Sequence, residues 1–145
     1  MPKAKEVKSK GFCLASLKQD NEKVERGVLI PFMGEASLRI ARYGSHAFNT
    51  MIANAFKEHE TIIKSGSEQG NLIAEQNMRW AYANHILVGW EGVIDADGNE
   101  VPYSHDAAEE YLKIDEIYEF VEMHSKKHEN FRIKSVKDLG EELKK

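Results

Sequence analysis

Residues 45–63 read SHAFNTMIANAFKEHETII, and this stretch decides the fold class. Phe48, Met51, Ile52, Ala55, Phe56, Ile62 and Ile63 recur at largely helical spacing, which gives one side of the segment an apolar stripe. Ser45 follows Gly44 where a hydroxyl can accept from a free backbone N–H of a first helical turn. The spacing predicts a helix over residues 46–63. Ser65-Gly66-Ser67 breaks it, and a second helix is expected from Glu68 to about Gly89, with Leu72, Ile73, Trp80, Ala83, Leu87 and Val88 on its buried side.

Downstream, Gly92 to Tyr103 places an Asp97-Gly98 pair, able to take positive φ, between short apolar runs, so a small hairpin or tight loop is expected. Ser104 can cap a third helix, with Asp106 favourable against its N-terminal dipole and Ala107, Ala108, Tyr111 and Leu112 as its apolar face. Asp115 can cap a fourth, carrying Ile117, Tyr118, Val121 and Met123. Ser135-Val136-Lys137-Asp138 matches a capping box before Leu139 and Leu143, weakened by Gly140. Residues 133–145 therefore read as a short C-terminal helix or a frayed tail.

Upstream, Phe12, Leu14 and Leu17 precede the polar run Lys18 to Lys23, and Val24 to Phe32 is again apolar and β-branched. Two strands joined by a polar turn fit best. Pro31 lacks a ladder donor and belongs at a strand end or an edge, with Gly34 turning the chain away. Leu38, Ile40 and Ala41 form a short segment of ambiguous type. Residues 1–10 carry Lys3, Lys5, Lys8 and Lys10 with little apolar content and read as a flexible basic tail. The expected architecture is mainly α with a small β element (α+β): one compact helical domain over residues 11–132 with an N-terminal β-hairpin.

Composition supports a folded core in one domain: 145 residues, 41% hydrophobic and 30% charged. The formal net charge of -4 supplies no global field for phosphate backbones, so nucleic-acid binding would need a local patch, for which only the N-terminal lysines qualify. Cys13 has no partner for an intramolecular disulfide, and no basic segment leads into an apolar run of membrane length. A reducing cytoplasm and no membrane contact are expected.

Motifs that could carry chemistry are weak. Asp95-Ala96-Asp97-Gly98-Asn99-Glu100 resembles a calcium loop, but counting from Asp95 puts Glu100, not glycine, at the sixth position, and setting Gly98 at the sixth puts Val93 first and Ser104 twelfth. A hairpin turn is the better reading. His124 and His128 would share one helical face, yet no Glu follows His124 and no third ligand is evident. No nucleophile elbow, phosphate loop or dinucleotide-binding glycine pattern occurs. Trp80, Trp90, Tyr103, Tyr111, Tyr118 and Phe131 read as packing anchors, of which one or two could serve an interface.

Two segments carry a resemblance. Gly27 to Phe32 runs into Leu38 to Gly44 and then a helix; Val88-Gly89-Trp90-Glu91-Gly92-Val93 runs through Asp97-Gly98 to Val101-Pro102-Tyr103-Ser104, the helix of Asp115 to Met123 and Glu129-Asn130-Phe131. This order resembles the tail assembly chaperones of long, non-contractile-tailed bacteriophages, over Gly27 to Phe131. Trp90, Gly92, Asp97, Gly98, Pro102, Tyr103, Ser104 and Phe131 are the positions carrying it. Their expected roles are structural: Trp90 anchors the loop, Asp97-Gly98 reverses the chain, and Ser104 starts a helix after Pro102.

The resemblance implies a protein without catalytic residues, cofactor or metal that coats the tape measure protein in the host bacterial cytoplasm. It would keep that client soluble, recruit the major tail tube protein and be absent from the finished virion; self-association is compatible with it. Competing readings are a minor tail component that stays in the particle, a small regulatory protein binding nucleic acid through its N-terminal lysines, and an enzyme without a recognisable motif.

Overall fold

In the computed structural model, residues 10–133 are described. The predicted residues 1–9 of the basic tail and the C-terminal capping box at Ser135 lie outside them.

The chain is mainly helical with one small sheet, as the helical spacing indicated. A 3-10 turn, Leu14–Leu17, leads to α1 (Asn21–Arg26), β1 (Val28–Pro31) and β2 (Ser37–Ile40). Helices α2 (His46–Glu58), α3 (Glu60–Lys64) and α4 (Glu68–His85) follow, then β3 (Leu87–Glu91), α5 (His105–Tyr111), α6 (Asp115–Ser125) and a second 3-10 turn, His128–Phe131.

The three strands are antiparallel in the order β1-β2-β3. A hairpin is present, but one segment later than the sequence suggested. The polar run after Leu17 is not a turn: Asp20 accepts from the N–H groups of Glu22 and Lys23 and starts α1. The aspartate cap converts that run into a helix, and the expected first strand over Phe12–Leu17 is replaced by the 3-10 turn. The ambiguous segment at Leu38 becomes β2, with Leu38 and Ile40 buried and Ser37 and Arg39 less so, the alternation of a strand with one covered face. Pro31 ends the edge strand β1, where its missing N–H costs nothing.

Two predicted helix ends shift. The helix over 46–63 bends at His59 (φ -117°), and the bend lays α3 across the start of α4, where Gly70 meets the Ile62 carbonyl with no room for a side chain. The second helix stops at His85 rather than Gly89, because Leu87 to Glu91 pairs with β2, Trp90 opposite Leu38. The tertiary ladder overrides the helical period there. Ser45, Ser67 and Ser104 all cap helices through their hydroxyls. Asp115 does not; it is the first residue of α6, and Ile114 holds the cap position.

The core is built around α4. Its Ala81, Tyr82 and Ala83 are buried against Leu38 and Ile40 of the sheet, Phe48 of α2, Ala108 of α5 and Val121 of α6. Each fully buried large side chain stabilises the fold by about 1.5–3 kcal/mol. Small residues at 81 and 83 let neighbouring elements approach α4 on both sides of the Tyr82 ring, which packs edge-on to Phe48 at 5.6 Å. Leu72, Trp80 and Met123, expected inside, are 51%, 43% and 55% exposed. The two ends of the described chain meet: Asp20 N–H donates to the Phe131 carbonyl at 2.7 Å and Ile133 N–H to the Lys18 carbonyl at 2.9 Å.

Candidate functional site: an apolar groove over the sheet

A groove of about 730 Å³ opens over one face of the sheet. Leu38 and Trp90, paired across β2 and β3, and Leu87 line its base. The β1–β2 turn, Phe32 to Ala36, forms one wall; Gly92, Val93 and Ile94 form another; Tyr111 and Ile117 close the helical side. The volume is in the range of ligand and peptide sites, and the lining is predominantly apolar.

Trp90 organises the site. Its Nε1 donates to the Val101 carbonyl at 2.8 Å, and its ring stands edge-on to Tyr103 at 5.0 Å and Tyr111 at 5.5 Å. Tyr103 is fixed in turn, its hydroxyl donating to the Leu87 carbonyl at 2.6 Å with the Ala83 carbonyl 3.1 Å away. Burial pushes its phenol pKa up to about 12. Thus β3, the 93–103 loop and the start of α5 are tied together beneath the groove. Phe32 is held to α6 by an edge contact of 4.7 Å with Phe120.

The wall beyond Trp90 is a closed turn. Val101 N–H donates to the Val93 carbonyl, Ile94 bridges Glu100, and the Asp95 carboxylate accepts from the N–H groups of Asp97 and Asn99 at 2.9 Å each. The hairpin-turn reading of this segment holds. Asp97 and Gly98 lie at its exposed tip.

The positions singled out in the sequence therefore divide. Trp90 and Gly92 line the groove, Tyr103 props it, Pro102 and Ser104 lead into α5, and Asp97 and Gly98 cap the loop. Phe131 is not brought to it; it is buried in the 3-10 turn beside the α1 cap. Sequence reasoning missed Met33, Ile94, Tyr111 and Ile117 as groove residues. The available signal was the apolar residue in a turn setting: Met33 precedes Gly34 and Ile94 precedes Asp95, and they are 54% and 59% exposed.

The remaining candidates lie elsewhere. His124 and His128 do not share a helix, since α6 ends at Ser125; His124 lies against Asn130, and His128 lies 3.2 Å from Gln19. Burial, then the Lys127 charge, lowers the His124 pKa. A second concavity of about 490 Å³ between α2 and α4 is bordered by His46, Glu58, Asn77, Trp80 and His85. Among the described residues no cluster of three or more His, Cys, Asp or Glu side chains could hold a metal ion, and no helix is long and apolar enough to cross a membrane.

No curated protein and no solved structure matches the chain. Residues 43–142 match the family described as YdaY prophage protein. The matched region holds α2 to α6, β3 and the Trp90 side of the groove, while the β1–β2 hairpin that forms the opposite wall precedes it. With well over half of its length inside the match, the chain belongs to the YdaY prophage protein family and is phage-derived.

Proposed function

We propose that this phage-derived chain is a tail assembly chaperone: it binds the tape measure protein, keeps it soluble in the host cytoplasm, helps recruit tail tube subunits and is left out of the finished virion. It works by binding and catalyses no reaction. The observation that supports this reading is the apolar groove, with Met33 and Ile94 standing on its walls more than half exposed. Large apolar side chains around a concavity favour a partner that covers them. Methionine is deformable, and it suits a client whose successive apolar stripes are alike without being identical. Several copies on one long client would add their modest affinities through avidity.

Co-expression with the tape measure protein of the same prophage tests the proposal. The expected result is a rise in soluble client and stable co-purification, with mass spectrometry finding no copy of the chain in purified virions. A client that stays insoluble, together with the chain's presence in virions, would make it a minor tail component instead.

A further inference from the structure

Charge is distributed very unevenly along this chain. Residues 91–119 contain ten carboxylates and one lysine or arginine, Lys113, a net charge of -9 with His105 neutral; the rest of the chain is +5, which together give the overall -4. That acidic segment builds the loop and helix walls of the groove. Glu35 lines the hairpin wall itself, and across the groove Glu116 is the neighbour of the lining residue Ile117 in α6. Both are exposed, and the lysine of the acidic segment, Lys113, is engaged with Glu110 at 2.9 Å.

From this juxtaposition we infer that the groove seats an amphipathic helix whose apolar stripe is flanked by lysine or arginine. The inference rests on the binding role proposed above and specifies the chemistry of the partner. The site opens on the face of the sheet, where Leu38 and Trp90 offer side chains and no ladder hydrogen bonds, so a helix laid across it matches better than an added strand. An apolar stripe at i, i+3, i+4 and i+7 fills the base, and basic flanks meet Glu35 on the hairpin wall and the net negative charge of the 91–119 segment opposite it. A partner with acidic flanks is repelled, so the same rim that attracts one class of helix rejects the other.

Fluorescence anisotropy of labelled synthetic helices of about 18 residues, long enough to span roughly 27 Å, reads this out on the full chain. Two peptides share one leucine stripe and differ only in carrying lysine or glutamate on the flanks. The lysine peptide should bind at least about tenfold more tightly, and its affinity should fall severalfold between about 50 and 300 mM salt. Ile94→Asp should abolish binding, whereas Leu72→Asp, on exposed α4 surface outside the groove, should leave it unchanged. The double variant Glu35→Lys with Glu116→Lys, both exposed, should reverse the preference and keeps the test decisive should Ile94→Asp fail to fold.

Equal affinity for both peptides, or binding unaffected by Ile94→Asp in a folded variant, overturns the inference. So does a dimer of the free chain that dissociates on Ile94→Asp, which would assign the groove to a second copy. Tape measure co-expression separates the two levels: failure of the unaltered chain to solubilise the client sinks the chaperone reading, and success that survives Ile94→Asp sinks only the groove.

Discussion

The carbonyl oxygen of Glu35 stands against the α-carbon of Gly92 where a β-carbon would have to sit, and Gly92 holds φ at +74°. The loop carrying Ile94 and the hairpin carrying Met33 are thereby brought into backbone contact at the root of the groove. Gly92→Ala meets both a steric wall and an unfavourable dihedral, and should cost about 2–4 kcal/mol in urea unfolding. Gly98, at φ +87° with open space around it, isolates the dihedral contribution; Gly98→Ala should cost only about 1 kcal/mol. Equal losses at the two positions would show that the Glu35 contact does not constrain the turn.

The Trp90 indole supplies the next test. Trp90→Phe keeps an aromatic body but removes the donor to the Val101 carbonyl, so it should destabilise by about 1–3 kcal/mol through the unpaired acceptor and lost area. Because Val101 N–H still bonds Val93, the loop should stay closed, and helix binding in the groove should weaken far less than with Ile94→Asp. Amide exchange of Val101 and anisotropy titration report the two effects separately.

Core and surface on the helices can be separated in the same way. Leu112 is 1% exposed at the end of α5, and Leu112→Ala should cost about 2–5 kcal/mol by leaving a cavity. Leu72, half exposed on α4, should lose less than about 1 kcal/mol on the same change, as measured by thermal unfolding.

Leu72 and Trp80 also mark where the sequence stopped being legible. The helical period of α2 and the Ser45 and Ser104 caps are local facts, written in residues within one turn of each other, and the structure follows them, while Ser67, read only as part of a break, caps α4. Which stripe of α4 faces inward is not local. The sheet and α6 approach it through Ala81, Tyr82 and Ala83, leaving Leu72 and Trp80 outside. Leu87 to Glu91 continues the apolar content of α4, so only its pairing with Leu38 reveals it as a strand. The polar run before β1 misled for the opposite reason: Asp20 signals a cap as clearly as Ser45 does, but the short segment lacks an apolar stripe. At the groove, Trp90 and Gly92 stood out as a turn with an aromatic anchor. Met33, Tyr111 and Ile117 join them from three separate elements, and that convergence is a property of topology alone.

Titration of Tyr103 offers a check on the scaffold beneath the groove. Its phenol pKa is raised by burial to about 12 from an ordinary value near 10. The unfolded chain therefore gives up this proton at lower pH than the folded one. Stability from this group is complete below pH 10 and falls as pH rises from about 10 through 12. Tyr118, also raised to about 12 with burial as the leading cause, contributes in the same window. Urea midpoints measured from pH 8 to about 11.5 should fall steeply above pH 10. Tyr103→Phe should lower the midpoint at pH 8, through loss of the bond to the Leu87 carbonyl, while flattening the alkaline slope. A Tyr103→Phe variant whose slope above pH 10 matched the unaltered chain would mean that Tyr103 ionises as freely in the folded protein as in the unfolded one, and that the β3–α5 junction admits water.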